Sequence, residues 1–185
     1  MNKLLTAVLL GLVTLTSALA QEAPKAPISV GQVIDRQFSN FEREFVPAAE
    51  AMPADKYDFA PTQGEFKGVR TFAQQVKHVA AVQYMLGAAL LGEKPPIDLK
   101  GENGPDDIKT KDQIVKFAKD SCAYLHKANA TVNDKNALEM IDGPFGGKAS
   151  RLALANMPIG HGFDHYGQMA VYLRMNGVIP PASRQ

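Results

Sequence analysis

The stretch H-G-F-D-H-Y-G-Q, residues 161–168, contains two histidines four positions apart. On an α-helix this spacing puts the imidazoles of His161 and His165 on one face, where two neighbouring rings can bind one metal ion. A third histidine, His78, lies inside another apolar segment, T-F-A-Q-Q-V-K-H-V-A-A-V, residues 71–82. Three histidines on two helices would leave a bound metal ion with an open coordination position.

Neutral imidazole is a strong ligand for late first-row divalent ions. Three such rings leave one coordination position for water, and zinc lowers the pKa of this bound water to ~7. Zinc, nickel, iron(II) and copper(II) would all accept this donor set, so the sequence does not choose the metal. The alternative is that the three histidines are hydrogen-bonded core or surface residues, because motifs of two residues recur by accident. No sequence pattern identifies a catalytic residue.

Four segments have the apolar spacing of amphipathic helices, and Pro- and Gly-rich connections separate them. Each predicted helix has a capping residue at its start, and three of these are followed by a glutamine at capping-box spacing. The predicted caps are Ser29, Thr71, Thr110 and Ser150. The first helix should stop before Pro53 and the last near Asn176. Without a strand pattern, the sequence predicts an all-α four-helix bundle with long connections.

Other polar side chains have competing interpretations. Asp164 lies about 60° around the helix from His161 and about 100° from His165, which favours a surface or supporting group over a metal ligand. Gln168 could donate a hydrogen bond near a bound substrate. Arg174 could bind a substrate carboxylate or complement the end of the helix dipole. His126 lies away from the apolar stripe of its helix and is predicted to be a solvated histidine with no role. Cys122, the only cysteine, lies in an apolar segment and is predicted to be a buried small side chain.

The N-terminus has the features of a signal peptide. Lys3 is followed by an apolar run from Leu4 to Leu15 and by Ala18-Leu19-Ala20, so cleavage after Ala20 is predicted. The run is short for a bilayer span, which disfavours a retained membrane anchor. The predicted organisation is a signal peptide over residues 1–20, a disordered leader over 21–28 and one helical domain over 29–181. The protein is therefore expected in the periplasm or the external medium.

The charge balance excludes some partners. The chain has 20 basic and 19 acidic side chains, and removal of Lys3 with the signal peptide would leave it neutral. Without a basic run, nucleic acid and anionic membranes are not expected partners. A single cysteine also excludes an intramolecular disulfide, so packing must stabilise the fold.

The final helix resembles a known family. Residues 161–168, continued by V-Y-L-R-M-N-G-V-I-P-P over 171–181, are similar to the C-terminal motif of the DinB-like superfamily of metal-binding four-helix bundles. V-K-H-V-A over residues 76–80 resembles its second-helix histidine motif, and the resemblance extends from about Phe38 to Pro181. It implies that His78, His161 and His165 are the three metal ligands. It also implies an up-down-down-up connectivity with a long crossover, and members often form homodimers.

Two functions follow as hypotheses. Characterised relatives include thiol S-transferases and maleylpyruvate isomerase-like enzymes, so the first is an exported, divalent-metal-binding transferase or hydrolase that activates water or a thiol for an unidentified small-molecule substrate. The second is a non-catalytic exported bundle that binds metal for structure or presents a surface to a partner. A glutamate near the open metal position would favour catalysis. A cleft closed by Leu154, Met169 and Tyr172 would favour a structural metal.

Overall fold

The computed structural model describes residues 28–184, and the predicted signal peptide and leader residues 21–27 lie outside this range. Four α-helices form the fold: α1 (Val30–Ala51), α2 (Phe72–Leu91), α3 (Lys111–Asn129) and α4 (Arg151–Met175). Short 3-10 turns follow α1 at Ala54–Lys56 and α4 at Pro181–Ser183. Among the described residues, no helix combines the length and apolar character needed to span a bilayer.

The helix starts agree with the sequence prediction. Ser29, Thr71 and Thr110 each accept a hydrogen bond from the third helical N–H, and the glutamine at that position accepts one from the cap N–H. Ser150 accepts from the N–H of Ala153 at the start of α4. These bonds satisfy backbone donors that a helix leaves without partners in its first turn.

Contacts between α2 and α3 show that these two helices are parallel. Ser121 donates a hydrogen bond to Gln83 Oε1 at 2.7 Å, and one turn further along both helices Gly87 lies against the ring of Tyr124. Two consecutive parallel helices require a long crossover between them. That crossover is the 92–110 connection.

The other helix pairs establish the full connectivity. α1 and α3 are antiparallel, because Gly31 lies against Val132 just beyond α3 while Lys111 at the start of α3 binds the Glu50 carbonyl. α4 is antiparallel to α2, since Arg151 at its start binds the carbonyl of Leu90 at the end of α2. The predicted up-down-down-up four-helix bundle is therefore confirmed.

The crossover determines what surrounds α2. A helix of 20 residues is about 30 Å long, and the chain must return along that length before α3 can start parallel to it. On the way, Lys77 Nζ donates to the carbonyl of Pro105 at 2.6 Å. The connection therefore lies against α2 at the turn that carries His78.

The structure also contains a β-hairpin, although the sequence predicted no strand. Met140–Asp142 pairs antiparallel with Lys148–Ser150 just before α4, and the N–H of Gly143 donates to the carbonyl of Gly147 at 2.9 Å across the turn. Strands of three residues are too short to show a period-two alternation, so periodicity could not reveal them.

The core is built on aromatic side chains of α1. Phe38, Phe41 and Phe45 are fully buried, and the rings of Phe41 and Phe45 stack at 5.1 Å. Cys122 is also fully buried, as predicted, and burial raises the pKa of its thiol above the usual range, so the thiolate is disfavoured.

Gly162→Ala should destabilise the fold, because a Cβ at this position would lie 2.5 Å from Phe41 Cζ. The Phe41 ring is held by its buried neighbours, so we expect a loss of about 1–3 kcal/mol in the free energy of unfolding, measured by chemical denaturation. Gly160→Ala is the matched control. Its Cβ would meet no atom within 4 Å, and alanine favours a helix over glycine, so a small gain is expected. Equal effects of the two substitutions would contradict this packing.

Candidate metal centre

The structure brings His78, His161 and His165 together. His161 Nε2 lies 3.0 Å from His78 Nε2 and 3.2 Å from His165 Nε2. All three candidate ligand atoms lie within 4.8 Å of one another. Ligand bonds of about 2.0–2.1 Å place two nitrogens of a tetrahedral ion about 3.3 Å apart, so these separations match a metal site.

The helix arrangement explains this convergence. α2 and α4 are adjacent and antiparallel, and His161 and His165 are one turn apart on the face of α4 that meets α2. His78 is 5% exposed and His165 7% exposed, whereas His161 is only half-buried. Solvent therefore reaches the cluster on the His161 side.

The ring of His78 is oriented by the crossover. Its Nδ1 lies 2.8 Å from the backbone carbonyl oxygen of Glu102. A carbonyl oxygen only accepts, so Nδ1 carries the hydrogen and donates it. In the neutral ring, Nε2 then presents a lone pair towards the other two histidines.

The ring of His165 is oriented by a chain of side-chain amides. His165 Nδ1 lies 2.5 Å from Gln75 Oε1, Gln75 Nε2 donates to Gln168 Oε1 at 2.8 Å, and Gln168 Nε2 donates to Asp164 Oδ2 at 3.4 Å. The carboxylate at the end only accepts, which determines the direction of every bond in the chain. His165 Nδ1 is therefore the donor, and its Nε2 also presents a lone pair to the centre.

The protonation states favour metal binding. Burial, reinforced by the neighbouring His78 ring, lowers the pKa of His161 to about 4. Burial and then His161 lower the pKa of His165 to about 4, and burial lowers the pKa of His78 as well. All three rings are neutral at pH 7. Three neutral imidazoles with their nitrogens directed at one point are a donor set that suits late first-row divalent ions.

The remaining predicted residues lie around this centre or away from it. Asp164 is exposed and supports Gln168, in agreement with its prediction as a supporting group. Gln168 accepts a hydrogen bond from Gln75, so its amide belongs to the support of His165. The Arg174 side chain donates to Ser183 Oγ at 3.0 Å.

Two supporting residues were missed by sequence reasoning. Gln75 is 1% exposed, and a glutamine inside the apolar stripe of α2, three residues before His78, was a signal that could have identified it. Glu102 contributes its backbone carbonyl, for which no side-chain pattern exists.

The prediction that His126 is a solvated histidine without a role is wrong. Its Nδ1 lies 2.6 Å from Asp35 Oδ1 and its Nε2 lies 3.0 Å from Glu42 Oε2, both on α1, and its ring packs edge-on against Phe38. The helical wheel of α3 could not show partners that another helix supplies. Partial burial lowers the pKa of His126, but the hydrogen bonds to Glu42 and Asp35 outweigh it, and the net pKa is raised.

His126 should make stability depend on pH. Because its pKa is raised in the folded state, the charged ring stabilises the fold fully below the unfolded pKa of about 6.5, and this contribution is lost as pH rises through the folded pKa. His126→Ala should therefore lower the free energy of unfolding more at pH 6 than at pH 9. The difference should be about 0.2–1 kcal/mol for each of the two ion pairs. Urea unfolding of metal-free protein at both pH values measures this. An equal loss at both would contradict the ion-pair account.

Comparison with known proteins agrees with this architecture. Residues 37–169 match the family model of the DinB superfamily. The chain belongs to this superfamily. The resemblance found in the sequence is thus confirmed over most of the domain. No curated protein matches the chain.

A solved structure supports the fold assignment of this DinB-superfamily chain. The crystal structure of a DinB-like protein from Bacillus cereus superposes with a TM-score of 0.60 and 16% sequence identity. The match covers 83% of this chain and 97% of the Bacillus protein. At this identity the likeness establishes the shared fold.

Proposed function

We propose that this DinB-superfamily protein binds one divalent transition-metal ion, with zinc, nickel and iron as the candidates, through Nε2 of His78, His161 and His165. One observation carries the proposal. Two of the three rings have their Nδ1–H groups bound to acceptors, so the lone pairs at Nε2 face a common point. Such supporting hydrogen bonds orient metal-bound histidines in general.

The proposed activity is a metal-dependent transfer or hydrolysis on a small-molecule substrate. A bound ion would supply Lewis acidity that activates water or a thiol at neutral pH. The protein's own groups would prepare the site: the Glu102 carbonyl and Gln75 hold two rings in a single tautomer, and burial keeps the rings neutral. His161 is half-buried, and this side of the centre gives a ligand access from solvent.

A specific observation favours the alternative, a non-catalytic metal-binding or partner-binding bundle. Leu154, Met169 and Tyr172 are all buried, so this part of the α4 face is closed by packing. A metal held only for structure would have a complete and inaccessible ligand set.

Cobalt(II) distinguishes these two functions. The proposed open position requires that azide, added to the cobalt-loaded protein, changes the visible absorption spectrum with saturable dependence on azide concentration. A cobalt spectrum that does not respond to azide would favour the structural alternative. Failure of the wild-type protein to take up cobalt would contradict metal binding itself.

We also propose that the protein is exported to the periplasm or the external medium. The support is the sequence of residues 1–20, with Lys3, the apolar run and Ala18-Leu19-Ala20. Cleavage by signal peptidase would make Gln21 the first residue of the mature chain. Mass spectrometry of the N-terminal peptide from the exported fraction checks this, and an exported protein that still begins at Met1 would contradict it.

A further inference from the structure

The backbone of Arg70 connects the two helices that carry the histidines. It comes just before the α2 cap, and its carbonyl accepts a hydrogen bond from the Tyr172 hydroxyl of α4 at 3.2 Å. Its guanidinium Nη2 lies 3.3 Å from Asn103 Oδ1 and 3.7 Å from Glu102 Oε1. Glu102 is the residue whose carbonyl orients His78. The guanidinium is therefore next to the segment that supports the metal centre.

The positive charge of Arg70 acts on the centre. After burial and the closer groups, Arg70 contributes to lowering the pKa of His78, His161 and His165. The contacts of the guanidinium with Asn103 and Glu102 and its effect on the histidines both indicate that its charge is close to the metal centre.

The partners of Arg70 leave part of its binding capacity unused. The Arg70 side chain is 33% exposed, and the carboxylate of Glu102 is 54% exposed. At 3.7 Å and with that exposure, the ion pair is weak. A guanidinium has several N–H donors in a planar fork, and among the described residues one side-chain hydrogen bond, to Asn103, engages it. The fork can still bind a carboxylate.

The charge balance favours an anionic ligand. Three neutral imidazoles cancel none of the charge of a divalent ion. The charged side chains that influence the histidines are Arg70, Glu102 and Asp164. With a divalent ion bound, the positive charge of the ion and of Arg70 therefore exceeds the negative charge of these two carboxylates, which favours an anionic ligand. An anion between the metal ion and the guanidinium would offset the repulsion between these two cations.

We propose that Arg70 is the anion-recognition residue of the metal centre, and that the substrate or cosubstrate carries a carboxylate in addition to the group that binds the metal. Arg70 is a specificity residue in this scheme, because it selects the ligand while the metal activates it. The inference rests on the metal binding proposed above. It narrows the substrate class to small carboxylate-bearing molecules.

The test compares two thiols on cobalt-loaded protein. Mercaptoacetate carries a carboxylate and 2-mercaptoethanol does not, and thiolate binding to cobalt(II) is followed by its charge-transfer absorption. The measured quantity is the ratio of the two dissociation constants. Comparison of that ratio between wild type and variant cancels the difference in thiol pKa between the probes.

Arg70→Gln should reduce the preference for mercaptoacetate over 2-mercaptoethanol by about tenfold, because only mercaptoacetate has a carboxylate for the guanidinium to bind. Arg70→Lys keeps the charge without the fork and should retain part of the preference. Arg70→Met repeats the test if the glutamine variant does not fold. Arg36→Gln makes the same charge change on the exposed face of α1 and should match the wild type.

An unchanged ratio in Arg70→Gln or Arg70→Met, with normal cobalt uptake, would overturn the anion-recognition proposal and leave metal binding intact. Absence of cobalt uptake by the wild type would overturn both, and it is seen before any thiol is added. An equal loss of preference in Arg36→Gln would show that net charge, and not Arg70, determines the preference, and would also overturn the proposal.

Discussion

His165→Ala should abolish tight binding of a divalent ion and, with it, the effect of metal on stability. In the proposed site His165 supplies one of three nitrogens, and two histidines, His161 and His78, should not bind the ion with comparable affinity. A bound ion stabilises the fold by RT ln(1 + [L]/Kd), ~2.7 kcal/mol when free metal is ~100 times Kd. Metal should therefore raise the melting temperature of the wild type and leave that of the variant unchanged.

Metal content by elemental analysis and melting curves with and without metal check this prediction. The bundle should still fold in His165→Ala, because the apolar core does not depend on the ion. His126→Ala is the control. It should lower the melting temperature through loss of its pairs with Asp35 and Glu42, yet keep metal uptake and the metal-induced rise. Equal metal uptake by wild type and His165→Ala would refute the three-histidine site.

Gln75→Leu should weaken metal binding by about 10–100-fold without removing any ligand. Leucine cannot accept the hydrogen bond that Gln75 Oε1 receives from His165 Nδ1, so the ring loses the contact that directs its Nε2 lone pair to the metal. The buried Nδ1–H would also lack a partner. Competition titration against a chelator dye measures the affinity.

Gln83→Leu is a matched control for this substitution. Gln83 is a glutamine on the same helix with the same 1% exposure, but it faces Ser121 of α3. Its replacement should change stability and leave metal affinity at the wild-type value. Gln75→Glu keeps an acceptor for Nδ1–H and should bind metal more tightly than Gln75→Leu. If Gln75→Leu and Gln83→Leu weaken metal binding equally, the effect comes from packing and not from ring orientation.

The parts of the fold that sequence could predict are those with local causes. Caps such as Thr71 bind the backbone of their own helix, and the His161–His165 pair needs only the helical period to share a face. These features depend on residues a few positions apart. The sequence predicts them correctly for that reason, and the family resemblance adds the connectivity of the helices.

The parts that sequence could not predict depend on the tertiary path of the chain. The Glu102 carbonyl reaches His78 because two parallel helices force the crossover back along α2, and any residue at that point would offer the same oxygen. Likewise, His126 obtains its partners from α1, 91 and 84 positions away, so the pattern of α3 alone could not reveal them.

A crystal structure of the zinc-loaded protein, with anomalous diffraction at the zinc edge, tests the central claim most directly. We expect one zinc ion about 2.0–2.1 Å from Nε2 of His78, His161 and His165, with a fourth ligand that is not a protein atom. Zinc bound elsewhere, or held by fewer than three of these nitrogens, would contradict the account.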